Sequence, residues 1–348
     1  MESIKISIIV PYFNPPIDRF EACVNSITSQ HYSNLELILV DDGSMPEYEE
    51  VIDRLCMQDK IEIVRLKEKN NGVSIARNLG TIYATGDYVM YVDADDEIPP
   101  GVISSAVDVL VKYNLDIVIG YVKYITNEQE KSRNSSIASR RITFPDVRCL
   151  SAYHLTGKGR NLNTVLRCGS VLKNGPVARL VRREIAISTK FPEGVPLSED
   201  TLWNVLIFDK ARSVGIVEET WYWYWVSHES ASRGFNANAV QDAMSFRSAF
   251  ESVIQGLSNK PSAGSSCSRL LGEVNRAIRT FYAHPECPLS LTESLSGIRQ
   301  LTKEMDVNHT VRLGNAIDEG IDTAIKYILC RSGLSLLYWT LRLKKRGK

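Results

Sequence analysis

The 348-residue chain has no run of about eighteen or more apolar residues, so nothing in its pattern reads as a membrane-crossing helix. The N-terminus also lacks a leader pattern. Glu2 and Lys5 are followed by a short apolar run that stops at Pro11, and a cytoplasmic location is the expectation. Neither sign of charge is in excess. The chain has 41 Lys and Arg against 41 Asp and Glu, without the basic surplus of a nucleic-acid binder. The seven cysteines, at 23, 56, 149, 168, 267, 287 and 330, include no C-x-x-C pair. Scattered and odd in number, they fit reduced thiols better than a disulfide or zinc framework. Histidine is scarce at five: His31 precedes a strand, His154 and His309 lack partners in the pattern, and His284 with Cys287 is half a metal motif. Low-order sequence is confined to Thr126–Arg141, which reads as a surface insertion or as a lid over a cleft.

What the chain does have is a series of apolar strands that end in special residues. Tyr88-Val89-Met90-Tyr91-Val92 runs into Asp93-Ala94-Asp95-Asp96. Carboxylates crowded at a strand end repel one another unless a cation neutralises them, and hard oxygen ligands suit Mg²⁺ or Mn²⁺. Asp96 or Glu97 could equally cap a helix ahead of Pro99. Ile6–Val10 runs into Pro11-Tyr12-Phe13-Asn14, and Leu35–Val40 into Asp41-Asp42-Gly43-Ser44. Helical segments Ile17–Ser29 and Pro46–Gln58 separate these strands. A third strand, Ile61–Leu66, leads to Asn70-Asn71-Gly72 and a helix carrying Ala76-Arg77-Asn78-Leu79-Gly80. Alternating β and α at this spacing predicts a Rossmann-like, mostly parallel α/β sheet with its special residues on one rim.

Those four motifs, in that order, resemble glycosyltransferase family 2, the inverting GT-A-type enzymes that use nucleotide-activated sugars, with bacterial surface-polysaccharide enzymes the nearest in character. The resemblance is strong over residues 1–120 and looser to about 235. It implies a nucleotide cleft over the first two strands and a Mn²⁺ or Mg²⁺ ion holding the donor diphosphate at Asp93 and Asp95. Pro11 and Tyr12 offer a packing face for a nucleobase, with Asn14 beside them, and Asp42 offers an acceptor for a ring N–H. Gly43 permits the sharp turn between. Arg77, one turn into its helix, can reach phosphate oxygens.

Ser198-Glu199-Asp200 begins a helix that ends near Lys210. Ser198 suits an N-cap, and acids in a first turn suit the helix dipole. The family places an acidic pair here whose second member is the general base, which carries over to Asp200, with Glu199 as the neighbour one position away. Arg179, Arg182 and Arg183 read as surface or cleft-rim charges. Trp221-Tyr222-Trp223-Tyr224-Trp225 alternates as a strand, with one face expected in the core and the other on the cleft wall. Some family members carry a histidine where His228 stands, completing the metal site or touching the diphosphate.

From about residue 236 the pattern becomes helical, with segments Ala239–Leu257, Ser266–Ala283, Leu291–Met305 and Val311–Leu329. The expected organisation is a catalytic domain over 1–235 (a nucleotide-binding half to 120, then an acceptor-side half), a helical region over 236–330 and a basic amphipathic tail over 331–348. Arg331, Arg342, Lys344, Lys345, Arg346 and Lys348 among leucines and aromatics suit peripheral contact with an anionic membrane face. A terminal helix packed on the protein with a solvated tail accounts for the same residues.

The function implied is metal-dependent transfer from a nucleotide-sugar donor, a UDP-sugar, to a glycan or lipid-linked oligosaccharide hydroxyl. A sugar nucleotidyltransferase would show an early G-x-G-T-R-like loop where this chain has Val10-Pro11-Tyr12-Phe13-Asn14. A non-catalytic relative would not need Asp93, Asp95 and Asp200 together.

Overall fold

The computed structural model describes residues 4–56, 61–131, 142–144, 147, 150, 175–226, 234–306, 309–319 and 321–346. Among these, residues up to Gly194 and from Trp203 to 226 form one compact unit, and Val195–Leu202 with 234–346 form another. The Glu199-Asp200 pair groups with the helical unit.

The first unit is built on one eight-stranded sheet in the order β3-β2-β1-β4-β7-β5-β8-β6. Its strands are β1 (Ile6–Tyr12), β2 (Leu35–Asp41), β3 (Glu62–Lys67), β4 (Tyr88–Tyr91), β5 (Ile117–Ile125), β6 (Ile142–Thr143), β7 (Arg179–Arg182) and β8 (Val214–Trp225). Helices α1 (Ile17–Thr28), α2 (Glu47–Cys56), α3 (Val73–Tyr83) and α4 (Val102–Tyr113) make the crossovers, and α5 (Arg183–Ser188) follows β7. Strands β1, β2 and β4 are buried along their whole length, which is why they read as continuous apolar runs. Edge strand β3 is half-exposed and alternates Glu, Arg and Lys with Ile, Val and Leu.

Strand β1 is flanked by β2 on one side and β4 on the other, all parallel, so the strand order reverses there. Ligands of such sheets bind outside the carboxyl ends at that reversal. The register aligns the strand ends: Tyr12 is opposite Asp41, and Asp41 is opposite Lys67. At the other rim, Ser7 and Thr85 hydroxyls and Lys5 converge on buried Glu36. Burial alone would raise this carboxyl, but those hydrogen bonds outweigh it and hold it down to about 2.

Strand β5 shifts register against β8 around Gly120, where any Cβ would overlap the Trp221 ring. Trp221 and Tyr222 pack into the main core and Trp223 and Trp225 cluster with Ile125, so these four are buried and only Tyr224 is partly open. This corrects the expectation of one core face and one cleft face. Arg179 is corrected too: it is 1% exposed and bonds to Asn204, Val177 O (3.2 Å) and Gly175 O (2.8 Å). Arg182 pairs with Asp116 at 2.9 Å, and Arg183 donates to Ala84 O at 2.6 Å. These arginines tie sheet and loops together.

Helix α6 (Glu199–Lys210) has its first turn in the second unit. That unit otherwise consists of α7 (Ala239–Gly256), α8 (Ala263–Ala277), α9 (Leu291–Glu304), α10 (Leu313–Glu319), α11 (Ile321–Ser332) and α12 (Leu334–Arg346). The segment expected as one helix, Val311–Leu329, is two. Helix α8 starts at a Ser262 cap, α9 at a Ser290–Glu293 capping box, and α8 runs on into the π-helical turn Ile278–Tyr282. Its buried side, with Leu270, Leu271, Val274 and Ile278, explains the helical period of the sequence. Among the described residues, no helix is long and apolar enough to cross a membrane.

Candidate active site

The carboxyl ends of β1, β2 and β4 bring six expected residues of the first unit to one rim. The Tyr12 carbonyl accepts the Asp42 N–H at 2.9 Å, closing β1 onto β2. The Tyr12 ring, 5% exposed, packs on Phe20 and Tyr48 with centroids 4.8 and 6.4 Å away. The Tyr12 ring thus belongs to the core. Asn14, at φ 47°, accepts from Met45 N at 2.9 Å and donates its own N–H to Ser44 Oγ at 3.1 Å. It latches the two loops to each other. Asp42 is buried, and its carboxylate accepts the N–H groups of Asn71 (2.7 Å) and Gly72 (2.9 Å). The loop entering α3 therefore hangs from Asp42, with Gly72 at φ 94° where a side chain would be strained.

Arg77, 5% exposed in the second turn of α3, donates to Asp93 Oδ1 at 2.9 Å and lies 5.2 Å over the Phe191 ring. Asn78 fixes that ring in place: it accepts from Phe191 N at 2.8 Å and donates to Phe191 O at 3.0 Å. Phe191 in turn stacks on Trp203 at 4.5 Å. The Arg77-Asn78 pair therefore places a guanidinium on an aromatic shelf and points it at the acidic turn.

The turn itself is held from below. The Asp93 N–H donates to the Tyr222 hydroxyl at 3.0 Å, and the Asp93 carbonyl accepts the Asp96 N–H at 3.1 Å. Asp96 is buried and accepts the Trp225 N–H at 2.8 Å. Burial first, then Asp93 and Asp95, push its carboxyl well above the usual range. Glu97 accepts from Trp225 Nε1 at 3.0 Å and pairs with Lys131 at 2.7 Å. Arg19 lies 3.4 Å over the Trp225 ring. Asp95 is exposed as a residue, yet desolvation of its carboxyl at the turn first, and the Asp93 charge second, raise it as well.

Among the described residues, no three His, Cys, Asp or Glu side chains come together as a metal cage. The chemistry of Asp93 and Asp95 nevertheless fits a hard divalent ion. Mg²⁺ and Mn²⁺ are held by one or two carboxylates when phosphate oxygens and waters supply the remainder. The repulsion from Asp93, which adds to the desolvation that raises Asp95, is what such an ion would relieve.

Asp200 lies in the second unit, in the first turn of α6. It is half-buried while Glu199 is buried, and its Oδ1 accepts the Thr201 N–H at 2.6 Å. The expected Ser198 cap is corrected. The Ser198 hydroxyl donates to Glu273 at 3.2 Å and accepts from Arg276 at 2.7 Å. His228, like Thr126–Arg141 beyond Lys131, falls outside the described residues. Sequence reasoning missed Tyr222, Lys131 and Arg19 as supports of the acidic turn. Only the alternation of Trp221–Trp225 hinted at the first; nothing local marks the other two.

Residues 7–186 match the family described as Glycosyl transferase family 2. Glycosyltransferase GlyA of Streptococcus pneumoniae serotype 4 is 28% identical over 246 residues, 70% of this chain and 34% of that protein. The minor teichoic acid biosynthesis protein GgaB of Bacillus subtilis is 27% identical over 238 residues, 67% of this chain and 24% of that protein. The chain thus spans well under two thirds of the length of these relatives. Among solved structures, S. aureus TarS 1–349 in complex with UDP-GlcNAc has a TM-score of 0.66 at 16% identity, covering 99% of this chain and 93% of that one. At that identity the likeness is one of fold, the GT-A type. With the family pattern matched over more than half of its length, the chain belongs to glycosyl transferase family 2.

Proposed function

We propose that this protein transfers a sugar from a nucleotide-sugar donor, a UDP-sugar, to a hydroxyl of a glycan or lipid-linked oligosaccharide in surface polysaccharide synthesis, with inversion. The observation that carries this reading is the convergence of Asp42, Arg77, Asp93 and Asp95 on one rim, with Arg77 fixed against Asp93. In this reading the backbone at Pro11–Tyr12, with Asn14 and Asp42, frames the nucleoside. Arg77 faces the diphosphate and stabilises the charge that grows on it as the sugar leaves. Asp93 and Asp95, with His228, would hold Mn²⁺ or Mg²⁺, which supplies Lewis-acid neutralisation of the leaving group. Asp200 takes the proton from the acceptor hydroxyl, so one displacement inverts the anomeric carbon. Names among the similar proteins support the donor and setting: a complex with UDP-GlcNAc and a teichoic acid biosynthesis protein.

Peripheral membrane contact is part of the same reading. Ile321, Ile325 and Ile328 on α11 are exposed at helical spacing, as are Leu334, Leu337, Tyr338 and Leu341 on α12. No acid follows Asp322, while Lys326, Arg331, Arg342, Lys344, Lys345, Arg346 and Lys348 do. Exposed apolar stripes in a segment whose charged residues after Asp322 are all basic suit an anionic lipid face.

The test is incubation with a panel of nucleotide sugars and candidate acceptors, scoring nucleoside diphosphate release and the anomeric configuration of the product. Diphosphate release with an inverted linkage is expected. Pyrophosphate formed from a nucleoside triphosphate and a sugar phosphate would overturn the reading in favour of a nucleotidyltransferase.

A further inference from the structure

Asp200 stands in a turn whose backbone departs from the ordinary start of a helix. Ser198, just ahead of α6, has φ 71°, in the left-handed region that glycine favours and serine rarely enters. A capping residue normally sits in the extended region, where its side-chain oxygen meets the N–H groups of the first turn. The Ser198 hydroxyl is directed instead to α8, donating to Glu273 at 3.2 Å and accepting from Arg276 at 2.7 Å. Within the turn, the Thr201 N–H is taken by Asp200 Oδ1.

Both partners of that hydroxyl are themselves fixed. Glu273 is 2% exposed and is ion-paired to Arg269 and Arg276, its neighbours at helical spacing on one face of α8. Arg269 also lies over the Phe246 ring at 4.9 Å. A buried carboxylate between two guanidiniums has few other arrangements, because parting from either would leave charge uncompensated out of water. Asp200 is within the field of this cluster. Burial leaves the Arg276 guanidinium less basic than usual, and the carboxylates that oppose this are Glu273, Asp242 and Asp200. Strained backbone persists only where its surroundings over-determine it, and it gathers at sites whose geometry matters. Here the surroundings are a buried ion-paired cluster, and the strained residue lies two positions before the carboxylate assigned as base. A base must keep its oxygen within hydrogen-bond reach of the acceptor hydroxyl, whereas helix ends fray unless tied down.

We propose that Ser198, Glu273 and Arg276 are positioning residues for Asp200: the two α8 side chains grip the Ser198 hydroxyl, hold the turn in its left-handed conformation and so fix where the Asp200 carboxylate meets the acceptor. The inference rests on Asp200 being the base. The three residues act through Asp200 alone, and no proton passes through them.

The test uses the full chain and the change Ser198→Gly. Glycine suits φ 71°, so this variant relieves the backbone while it deletes the bridge to α8. The thermal midpoint should stay close to that of the wild type, because the relief offsets the lost hydrogen bonds. UDP affinity by calorimetry and the donor KM should be unchanged, while kcat falls by about ten- to a hundredfold. Arg276→Lys, which keeps a charge and a donor for Ser198, should retain more turnover than Arg276→Gln. In an Asp200→Asn background, Ser198→Gly should cause no further loss, since residues that act through one group are not additive. Wild-type kcat in folded Ser198→Gly, beside an impaired Asp200→Asn enzyme, would overturn the positioning role and leave the base in place. A full multiplicative loss in the double variant would overturn it too, as would a loss of turnover that merely follows loss of folded protein. Wild-type turnover in Asp200→Asn would overturn the base, and the positioning role with it.

Discussion

Arg77 of α3 and Asp93 at the carboxyl end of β4 are joined at 2.9 Å, the one with its guanidinium almost fully buried and the other still a third exposed. In the proposed reading the pair sets one charge to face the donor diphosphate, and Asp93, a third exposed, remains open beyond the arginine. Arg77→Lys would keep the charge but lose the fork and the fit over Phe191. Donor affinity measured by calorimetry should fall by about tenfold, with the thermal midpoint little changed. Wild-type affinity would mean that Arg77 only holds the turn.

Asp95→Ala should abolish the divalent-dependent part of UDP binding, because a single remaining carboxylate neutralises the diphosphate and its metal poorly. Titration of UDP with and without EDTA reads this directly. If EDTA leaves wild-type UDP binding unchanged, the metal assignment fails.

Asp200→Asn preserves size and removes the proton acceptor. Transfer should drop by about 10²–10⁴-fold with donor affinity little changed. Glu199→Gln is the control, since Glu199 is buried and Asp200 is the more open of the two. A near wild-type Asp200→Asn enzyme beside an inactive Glu199→Gln one would move the base to Glu199.

Glu36 gives a pH dependence of stability. Its folded carboxyl is held down to about 2, below the ordinary carboxylate range, so its contribution is fully present above about pH 4.5 and is lost as pH falls towards 2. The loss amounts to on the order of 3 kcal/mol. Chemical denaturation at pH 6 and pH 3 should show a fall that Glu36→Gln, destabilised at pH 6 already, shows much less. An equal acid dependence in both proteins would assign the effect to other carboxylates.

Leu337→Glu together with Ile325→Glu places acids on the two exposed stripes without touching buried Leu336. Co-sedimentation with anionic vesicles in low salt should be lost, with turnover of a soluble acceptor retained. A wild-type protein that ignores such vesicles would remove the membrane contact.

Strand ends and their acids were legible in sequence because β1, β2 and β4 are buried on both faces, which demands apolar runs, and because polar residues follow those runs at one rim. The helical half was legible for the same reason, through the period of buried positions on α8 and α9. These are local properties, set by which side of each element meets water. What only the tertiary structure decided are the partners brought in from far along the chain. Tyr222 under Asp93, Asn78 on Phe191, Lys131 on Glu97 and the arginines of α8 around Ser198 each join residues from different elements. The aromatic strand shows the same limit: alternation predicted two unlike faces for Trp221–Trp225, and side-chain packing buried all but Tyr224. No local pattern encodes such pairings, since burial and charge compensation depend on which surfaces meet once the sheet and the helices have formed.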